Sequence, residues 1–139
     1  MHHVAGVTLI DESYNASPAS MKQSLAMLAS LPATRRIAVL GDMRELGAET
    51  AALHAEVGRV IAGLPIDKVY WVGENAEVVI KAAREINSSL PIDGYADVAV
   101  MAGAFLRDAK SGDVVVAKGS RAMKLDEFVV AVVNALGGN

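Results

Sequence analysis

Residues 114–136 read VVVAKGSRAMKLDEFVVAVVNAL and contain a strand, a loop and a helix in succession. The run at 114–117 is short, β-branched and continuously apolar, which is typical of a strand that is covered on both faces. After the glycine-containing loop of residues 117–124, apolar side chains return at helical spacing, at Leu125, Phe128, Val129, Val132 and Leu136. The stretch therefore predicts one β-then-α unit.

The rest of the chain repeats this pattern four times. Strand-like runs lie at 7–10, 37–40, 69–72 and 92–95, and each is followed by a segment with helical periodicity. The first of these helices is expected to begin at Pro18, with Ser17 as its N-cap. Five β-then-α units with short links predict an α/β fold: a doubly wound, mainly parallel sheet with helices on both faces. The length of 139 residues fits a single domain over residues 1–139.

Composition excludes several classes of function. The chain has no cysteine, which rules out disulfides, cysteine-based zinc sites and thiol catalysis. A net charge of −3 gives no electrostatic footprint for nucleic acid or an anionic membrane, and no apolar run approaches the roughly 20 residues that span a bilayer. No second histidine stands at metal-ligand spacing from His54, so we expect no metal site. We expect a cytoplasmic protein without nucleic-acid partners or membrane insertion.

The loop after the first strand carries polar groups that suit a nucleoside. Asp11 and Glu12 place two carboxylates at the mouth of the strand, where they could accept bonds from a ribose hydroxyl pair or a metal-bound water. The alternative is that these acids only interact favourably with the dipole of the next helix. Tyr14 could stack on a flat ligand, and Asn15 could form a hydrogen bond with the edge of that ligand. Alternatively, Asn15 and Ser17 only make turn and cap bonds.

The loops after the fifth and second strands carry the other candidates. Lys118, Ser120 and Arg121 offer two cations and a hydroxyl before the last helix, which suits a carboxylate or a phosphate. Cations at a helix N-terminus oppose the helix dipole, so this placement favours a functional role over a structural one. Asp42 follows the second strand, where it could serve a ligand or simply cap a helix.

The chain lacks the motifs that would perform phosphoryl transfer on their own. It contains neither a G-x-x-x-x-G-K-[ST] phosphate loop nor a G-x-G-x-x-G fingerprint, and it has no nucleophile–histidine–acid set. The sequence therefore predicts binding residues and no catalytic residue.

Three stretches together carry a resemblance to a known family. They are IDESYNASPASM at 10–21, VLGDMRELG at 39–47 with His54 and Gly58 behind it, and KGSRAMKL at 118–125. In this order they resemble the C-terminal domain of a Mur ligase, and the resemblance runs from about residue 7 to residue 136. Within the family it is nearest to the ligases that add a D-alanyl-D-alanine dipeptide to the peptidoglycan precursor in cell-wall biogenesis.

The resemblance implies a larger enzyme. Family members carry an N-terminal domain for the UDP-sugar and a central ATPase domain with the phosphate loop and magnesium ligands, and neither is expected within residues 1–139. The implied partners are that central domain, ATP and D-alanyl-D-alanine. ATP and Mg²⁺ serve the full-length enzyme and neither is expected to be held by this fragment alone. ATP phosphorylates a carboxylate, and the dipeptide amine then attacks the acyl phosphate.

The resemblance also assigns residues. The residues that would face the adenosine half of ATP are Asp11, Glu12, Tyr14 and Asn15. The residues that would line or support the dipeptide side are Asp42, Met43, Lys118, Ser120 and Arg121. The family box commonly reads D-D-x-Y-N-A-N-P, whereas this chain has Glu12 and Ser17. Glu12 keeps the charge but lengthens the reach, and Ser17 can still cap a helix.

Three alternatives stay open at this point. A phosphoacceptor receiver domain would share the acidic pair and Lys118, but Gly73-Glu74 stands where its phosphorylated aspartate belongs, and Gly119 replaces its usual proline. A stand-alone nucleotide-binding domain is the second alternative. The third is a sibling ligase for another amino component, including folylpolyglutamate synthase.

Overall fold

A six-stranded mixed sheet forms the centre of the molecule. The computed structural model describes residues 1–137, so the last two residues of the predicted domain lie outside the described residues. The strands are β1 (His2–Val4), β2 (Val7–Glu12), β3 (Arg35–Gly41), β4 (Lys68–Val72), β5 (Ile92–Tyr95) and β6 (Asp113–Lys118). Their order is β1-β2-β6-β3-β4-β5, and every neighbouring pair is parallel except β1 with β2.

Within residues 1–137, five α-helices cover the two faces of the sheet. They are α1 (Pro18–Ser30), α2 (Thr50–Ala62), α3 (Ala76–Ile86), α4 (Val98–Asp108) and α5 (Leu125–Leu136), with 3₁₀ turns at Gly47–Glu49 and Arg121–Met123. Helices α1, α2 and α3 bury their apolar residues in one core cluster, and α4 and α5 bury theirs in another. The predicted α/β fold with a mainly parallel sheet and helices on both faces is confirmed. Within the described residues, none of the helices combines the length and the apolar character that a membrane crossing requires.

Local sequence signals set the helix starts. Ser17 accepts a hydrogen bond from the Ser20 backbone N–H at 3.1 Å, while the Ser17 backbone N–H donates to Ser20 Oγ at 2.9 Å. This reciprocal capping box lies directly before Pro18, so the predicted cap and start of α1 are confirmed. Asp97 caps α4 through its side chain alone, which accepts from the Val100 N–H at 3.0 Å.

Two expectations about the strands were wrong. The sheet has a sixth strand, β1, which pairs with β2 through a tight turn at Ala5 and Gly6, whose φ angles are 52° and 79°. The first predicted strand does not stop at residue 10, because β2 continues through Asp11 and Glu12. These two residues are poor strand formers, but they pair with the end of β6, which holds them in the sheet.

Helices α2 and α3 approach each other closely at Gly58. A Cβ atom at Gly58 would lie 2.4 Å from the Val79 carbonyl oxygen and 3.3 Å from the Ala82 Cβ. Because the first contact is with backbone, a side chain at this position must push the two helices apart. Glycine is therefore required here by packing and not by its backbone angles.

We predict that Gly58→Ala lowers the free energy of unfolding by about 1–3 kcal/mol, as overpacking of a tight contact does. Alanine alone would stabilise a helix by about 1 kcal/mol relative to glycine, so the loss must come from the contact. Gly103→Ala in α4 is the matched control, because its nearest neighbour is the flexible end of Arg107 at 3.5 Å. Urea denaturation should show Gly103→Ala unchanged or more stable. Equal stability of the two variants would contradict the packing argument.

The topology creates two crevices at the carboxyl edge of the sheet. The chain leaves β6 towards α5 on one face, whereas it leaves the neighbouring strands β2 and β3 towards α1 and α2 on the other. The same divergence occurs between β4 and β5, whose helices α3 and α4 cover opposite faces. Ligands of open α/β sheets bind where neighbouring connections diverge in this way. We call these the β6 crevice and the β4–β5 crevice.

Candidate functional site

The loops singled out in the sequence meet at the β6 crevice. Glu12 at the end of β2 is the register partner of Lys118 at the end of β6, and Leu40 of β3 pairs with Lys118 on the other side. The chain departs from these strands into the segments that carry Tyr14, Asp42 and Ser120. The fold thus gathers the polar groups of three distant sequence stretches along one edge.

A carboxylate, an ammonium and an exposed ring form the centre of this crevice. Lys118 Nζ lies 3.9 Å from Glu12 Oε1, a separation too long for a hydrogen bond, and 5.8 Å from the centroid of the Tyr14 ring. The Lys118 side chain is only 5% exposed, whereas Tyr14 is 64% exposed. Ser24 Oγ on α1 donates a hydrogen bond to Glu12 Oε1. The Lys118 side chain is therefore largely buried beside a ring that is open to solvent, and its ammonium has no hydrogen-bond acceptor among residues 1–137.

The side chains of Asp11 and Asn15 accept hydrogen bonds from residues of their own loop. Asp11 Oδ1 accepts from the Ser13 N–H at 2.9 Å and from Ser13 Oγ at 2.5 Å. Asn15 Oδ1 accepts from the Ala16 N–H at 2.9 Å. The alternative role of Asn15 in a turn bond is thus present in the structure. Both side chains are exposed, and their role towards a nucleotide stays a prediction.

The expected placement of the two cations at the N-terminus of the last helix was wrong. Lys118 is the last residue of β6, Arg121 begins a 3₁₀ turn, and α5 starts only at Leu125. The first turn of α5 instead carries Asp126 and Glu127, whose negative charges interact favourably with the helix dipole. The dipole argument for a functional role therefore no longer applies, and the role must be argued from burial and exposure.

Ser120 and Arg121 differ sharply in their surroundings. Ser120 is 5% exposed and its Oγ has no hydrogen-bond partner among residues 1–137, although its backbone N–H donates to the Asp42 carbonyl at 3.1 Å. Arg121 is exposed. A buried hydroxyl without a partner is costly, and an oxygen of a bound ligand or water would satisfy it.

Asp42 is the centre of a buried hydrogen-bond network that ties three loops together. Its carboxylate accepts from Trp71 Nε1 at 2.8 Å, from Asn75 Nδ2 at 2.9 Å and from the Asn75 backbone N–H at 3.2 Å. Its backbone N–H donates to the Val72 carbonyl at 3.2 Å, and its carbonyl accepts from the Ser120 N–H. A Cβ at Gly73, whose φ is +133°, would strike this carboxylate at 2.3 Å. Asp42 thus joins the loops after β3, β4 and β6.

Met43 lies behind the site and not at its surface. Its side chain is 2% exposed, and its backbone N–H donates to His54 Nε2 at 3.0 Å. His54 is therefore a neutral imidazole that carries its proton on Nδ1, which donates to the Thr50 carbonyl at 2.7 Å. Because Asp42 and Met43 are both only 2% exposed, they can only support a ligand site from behind, and their assignment to the dipeptide stays a prediction.

The β4–β5 crevice contains a cavity of about 910 Å³ that the sequence did not indicate. It is bordered by the start of α3, by the loop after β5 and by the start of α5. Its charged lining is mainly acidic and consists of Glu74, Glu77, Asp97, Lys124 and Glu127. Lys124 adopts a left-handed conformation with φ 59°, which is strained for a residue with a side chain. Within residues 1–137, however, no group of three or more histidine or acidic residues could hold a metal ion.

Sequence reasoning missed three residues that organise the site. Trp71 and Asn75 hold Asp42, and Ser24 holds Glu12. Trp71 lies within β4 and Ser24 lies within α1. In the sequence, neither can be told from a residue of the core. Only the polar loop at 72–75 gave a signal, because Asn75 closes a strand-ending loop that also carries glycine.

Comparison with known proteins identifies the family of the chain. A family model described as the Mur ligase, glutamate ligase domain matches residues 1–121. The chain belongs to the Mur ligase family. The match favours the ligase interpretation over a receiver domain, because it covers the loops after β2 and β3 and the start of the loop after β6.

Several relatives of this Mur ligase domain are dipeptide-adding enzymes. The UDP-N-acetylmuramoyl-tripeptide–D-alanyl-D-alanine ligase of Bacillus subtilis is 34% identical over 126 residues, which cover 90% of this chain and 28% of that protein. The enzyme of the same name from Mycobacterium bovis is 37% identical, with 92% and 29% covered. The chain therefore spans less than a third of the length of these relatives.

A solved structure of the same kind shares the fold. The crystal structure of the MurF ligase from Thermotoga maritima in complex with ADP superposes with a TM-score of 0.77 at 30% identity. The match covers 97% of this chain and 30% of that one. That enzyme was crystallised with ADP, which is consistent with nucleotide use in this branch of the family.

Proposed function

We propose that this Mur ligase domain is the C-terminal part of an ATP-dependent ligase that joins D-alanyl-D-alanine to UDP-N-acetylmuramoyl-tripeptide in the cytoplasm. The observation that carries the proposal is the 34% identity to the Bacillus subtilis ligase across 90% of the chain. The family resemblance supplies the reaction. A precursor carboxylate oxygen attacks the γ-phosphorus of ATP and ADP leaves, after which the dipeptide amine displaces phosphate from the acyl carbon and loses a proton.

The nucleotide side of the proposed site is the rim formed by the loop after β2. The Tyr14 ring is exposed and available for stacking on an adenine, and base–aromatic stacking contributes about 1–3 kcal/mol. Glu12 presents a carboxylate beside it that can accept bonds from ribose hydroxyls. Asp11 and Asn15 lie in the same exposed loop. These features support the adenosine assignment of the four residues.

The part of the proposed site that would bind an anion is the floor of the β6 crevice. Lys118 and Ser120 are both buried and both lack a close hydrogen-bond partner among residues 1–137, which suits the oxygen atoms of a carboxylate or phosphate. Arg121 is exposed and directly follows Ser120 in the chain. The neighbouring acidic cavity suits the amine end of the dipeptide, because carboxylates attract an ammonium group and can take its proton.

The domain supplies only part of the reaction. It has no phosphate loop and no cluster of metal ligands among residues 1–137, so we assign Mg²⁺ and the triphosphate cradle to a central domain of the same polypeptide. The complete polypeptide, with a phosphate loop encoded upstream, should release phosphate only when the tripeptide precursor and D-alanyl-D-alanine are both present. Preference for another amino component would favour a sibling ligase.

We predict weak ATP binding by residues 1–139 alone, with a dissociation constant near 1 mM, about 4 kcal/mol. The affinity is low because one stacked ring and a few hydrogen bonds act without a phosphate cradle. In an NMR titration with ATP, the amides of residues 11–17 should shift first. Inorganic triphosphate, which has no base or ribose, should not reproduce these shifts. Shifts confined to the opposite edge, around Arg35 and Lys68, would contradict the placement.

A further inference from the structure

One buried contact that the proposed mechanism does not use lies between Ser24 and Glu12. Ser24 is 6% exposed on the face of α1 that otherwise buries Met21, Leu25 and Leu28. A hydroxyl in such surroundings is unfavourable unless it is hydrogen-bonded. The Ser24 hydroxyl donates to Oε1 of Glu12, the last residue of β2.

We propose that Ser24 is a positioning residue for the nucleotide side, which orients Glu12 so that its second carboxylate oxygen faces the ribose hydroxyls. The inference rests on the proposed function, because it takes the ribose as the partner of Glu12. Both protein contacts of the carboxylate fall on the same oxygen, since Ser24 Oγ donates to Oε1 and Lys118 Nζ lies 3.9 Å from it. Among residues 1–137 the Oε2 atom is left for a ligand.

The contact ties Glu12 to a second element of the fold. Its side chain extends from the end of β2 to α1, where its carboxylate accepts a hydrogen bond from Ser24 Oγ. The flexible side chain is thereby fixed between a helix and the neighbouring strand, and its loss of rotamer freedom occurs on folding and not on binding.

The test uses the ribose itself as the probe. The ¹⁵N-labelled chain is titrated with ATP and with 2′,3′-dideoxy-ATP, and the ratio of the two dissociation constants reports the contact to the ribose hydroxyls. We expect the wild type to prefer ATP by about three- to tenfold, the value of one or two hydrogen bonds. Ser24→Ala should reduce this preference to less than about twofold, and it should add nothing further when Glu12 is already alanine.

The control is Ser30→Ala in the same helix, because Ser30 is exposed and its hydroxyl donates only to the Met27 carbonyl. This variant should keep the wild-type preference for ATP. If Ser24→Ala folds poorly, Ser24→Cys keeps the volume with a much weaker donor, and it should narrow the preference in the same direction.

The outcomes separate the inference from the proposed function. If Glu12→Ala loses the preference for ATP while Ser24→Ala and Ser24→Cys keep it, Ser24 only fills space and the inference is overturned, although the ribose assignment stands. If the wild type shows no preference for ATP, or if Glu12→Ala keeps the wild-type preference, the assignment of Glu12 to the ribose fails and this inference fails with it.

Discussion

Replacing Asp42 by alanine is expected to lower the free energy of unfolding by about 3–4 kcal/mol. The change removes the only acceptor that the structure shows for the Trp71 indole N–H and for two N–H groups of Asn75 within residues 1–137. A buried donor left without an acceptor costs about 1–3 kcal/mol, and Asn75 is half-buried, so water recovers part of the loss. The expected effect is large beside a total stability of about 5–15 kcal/mol.

Trp71 provides a direct readout of this change. It is the only tryptophan in the chain, so its indole N–H gives one signal in a ¹⁵N spectrum, and it is fully buried. Asp42→Asn should cost less than Asp42→Ala, because its carbonyl oxygen can still accept from the indole while its amide opposes Asn75. Glu74→Ala is the control, since Glu74 is exposed in the adjacent loop, and such changes are usually within about 0.5 kcal/mol.

The outcome decides what Asp42 does for the site. If Asp42→Ala unfolds at the same urea concentration as the wild type and its indole signal does not move, the network does not hold the three loops. The residue would then be available for a ligand, as the sequence alone suggested. If the network is confirmed, Asp42 contributes to ligand binding only by fixing the loops that carry Ser120 and Asn75.

Most of the fold could be predicted from local signals. The capping residues Ser17 and Asp97, the apolar stripe of α5 and the run of valines in β6 each depend on neighbouring residues alone. The strand β1 could not be predicted, because three residues with two histidines carry no period and form a strand only by pairing with β2. The insertion of β6 between β2 and β3 is also invisible in the sequence, since it depends on a pairing between distant segments.

The site could be predicted as a set of loops but not as a network. The loops carry exposed polar groups at strand ends, which a sequence displays directly. The partners of those groups lie elsewhere: Trp71 is 29 residues from Asp42, and Ser24 is 12 residues from Glu12. Neither partner differs in sequence from an ordinary core residue. The prediction for Lys118 was incomplete for the same reason, because its burial depends on the pairing of β6 with β2.

Replacing Lys118 in the complete ligase is expected to lower kcat/KM about ten- to a hundredfold. The buried ammonium has Glu12 at 3.9 Å and the Tyr14 ring at 5.8 Å, but no close hydrogen-bond acceptor among residues 1–137. A charge-assisted bond from such a group to a carboxylate or phosphate contributes about 1.5–3 kcal/mol, which corresponds to that loss in rate. The measurement is the steady-state ligation rate at varied dipeptide and ATP concentrations.

Lys118→Met is the informative variant, because it removes the charge and keeps most of the buried stem. Lys118→Met and Lys118→Ala both deprive Glu12 of its cation. Lys118→Ala would in addition leave a cavity, so its kinetics would include a further loss of stability. An exposed residue tolerates truncation better, so Arg121→Ala should change stability by less than about 0.5 kcal/mol while it also slows ligation. Lys110→Met is the control, since Lys110 is exposed and lies just before the start of β6, at the opposite edge of the sheet.

The ligand can be identified from which Michaelis constant changes. If Lys118 binds the dipeptide carboxylate, Lys118→Met should raise the KM for D-alanyl-D-alanine and leave that for ATP unchanged; if it binds a phosphate group, the KM for ATP or kcat should change instead. A variant with a lower melting temperature but normal kcat/KM would show that Lys118 only pairs with Glu12. The anion would then have to be bound by Arg121 and Ser120, because these are the other groups in the β6 crevice that we assign to it.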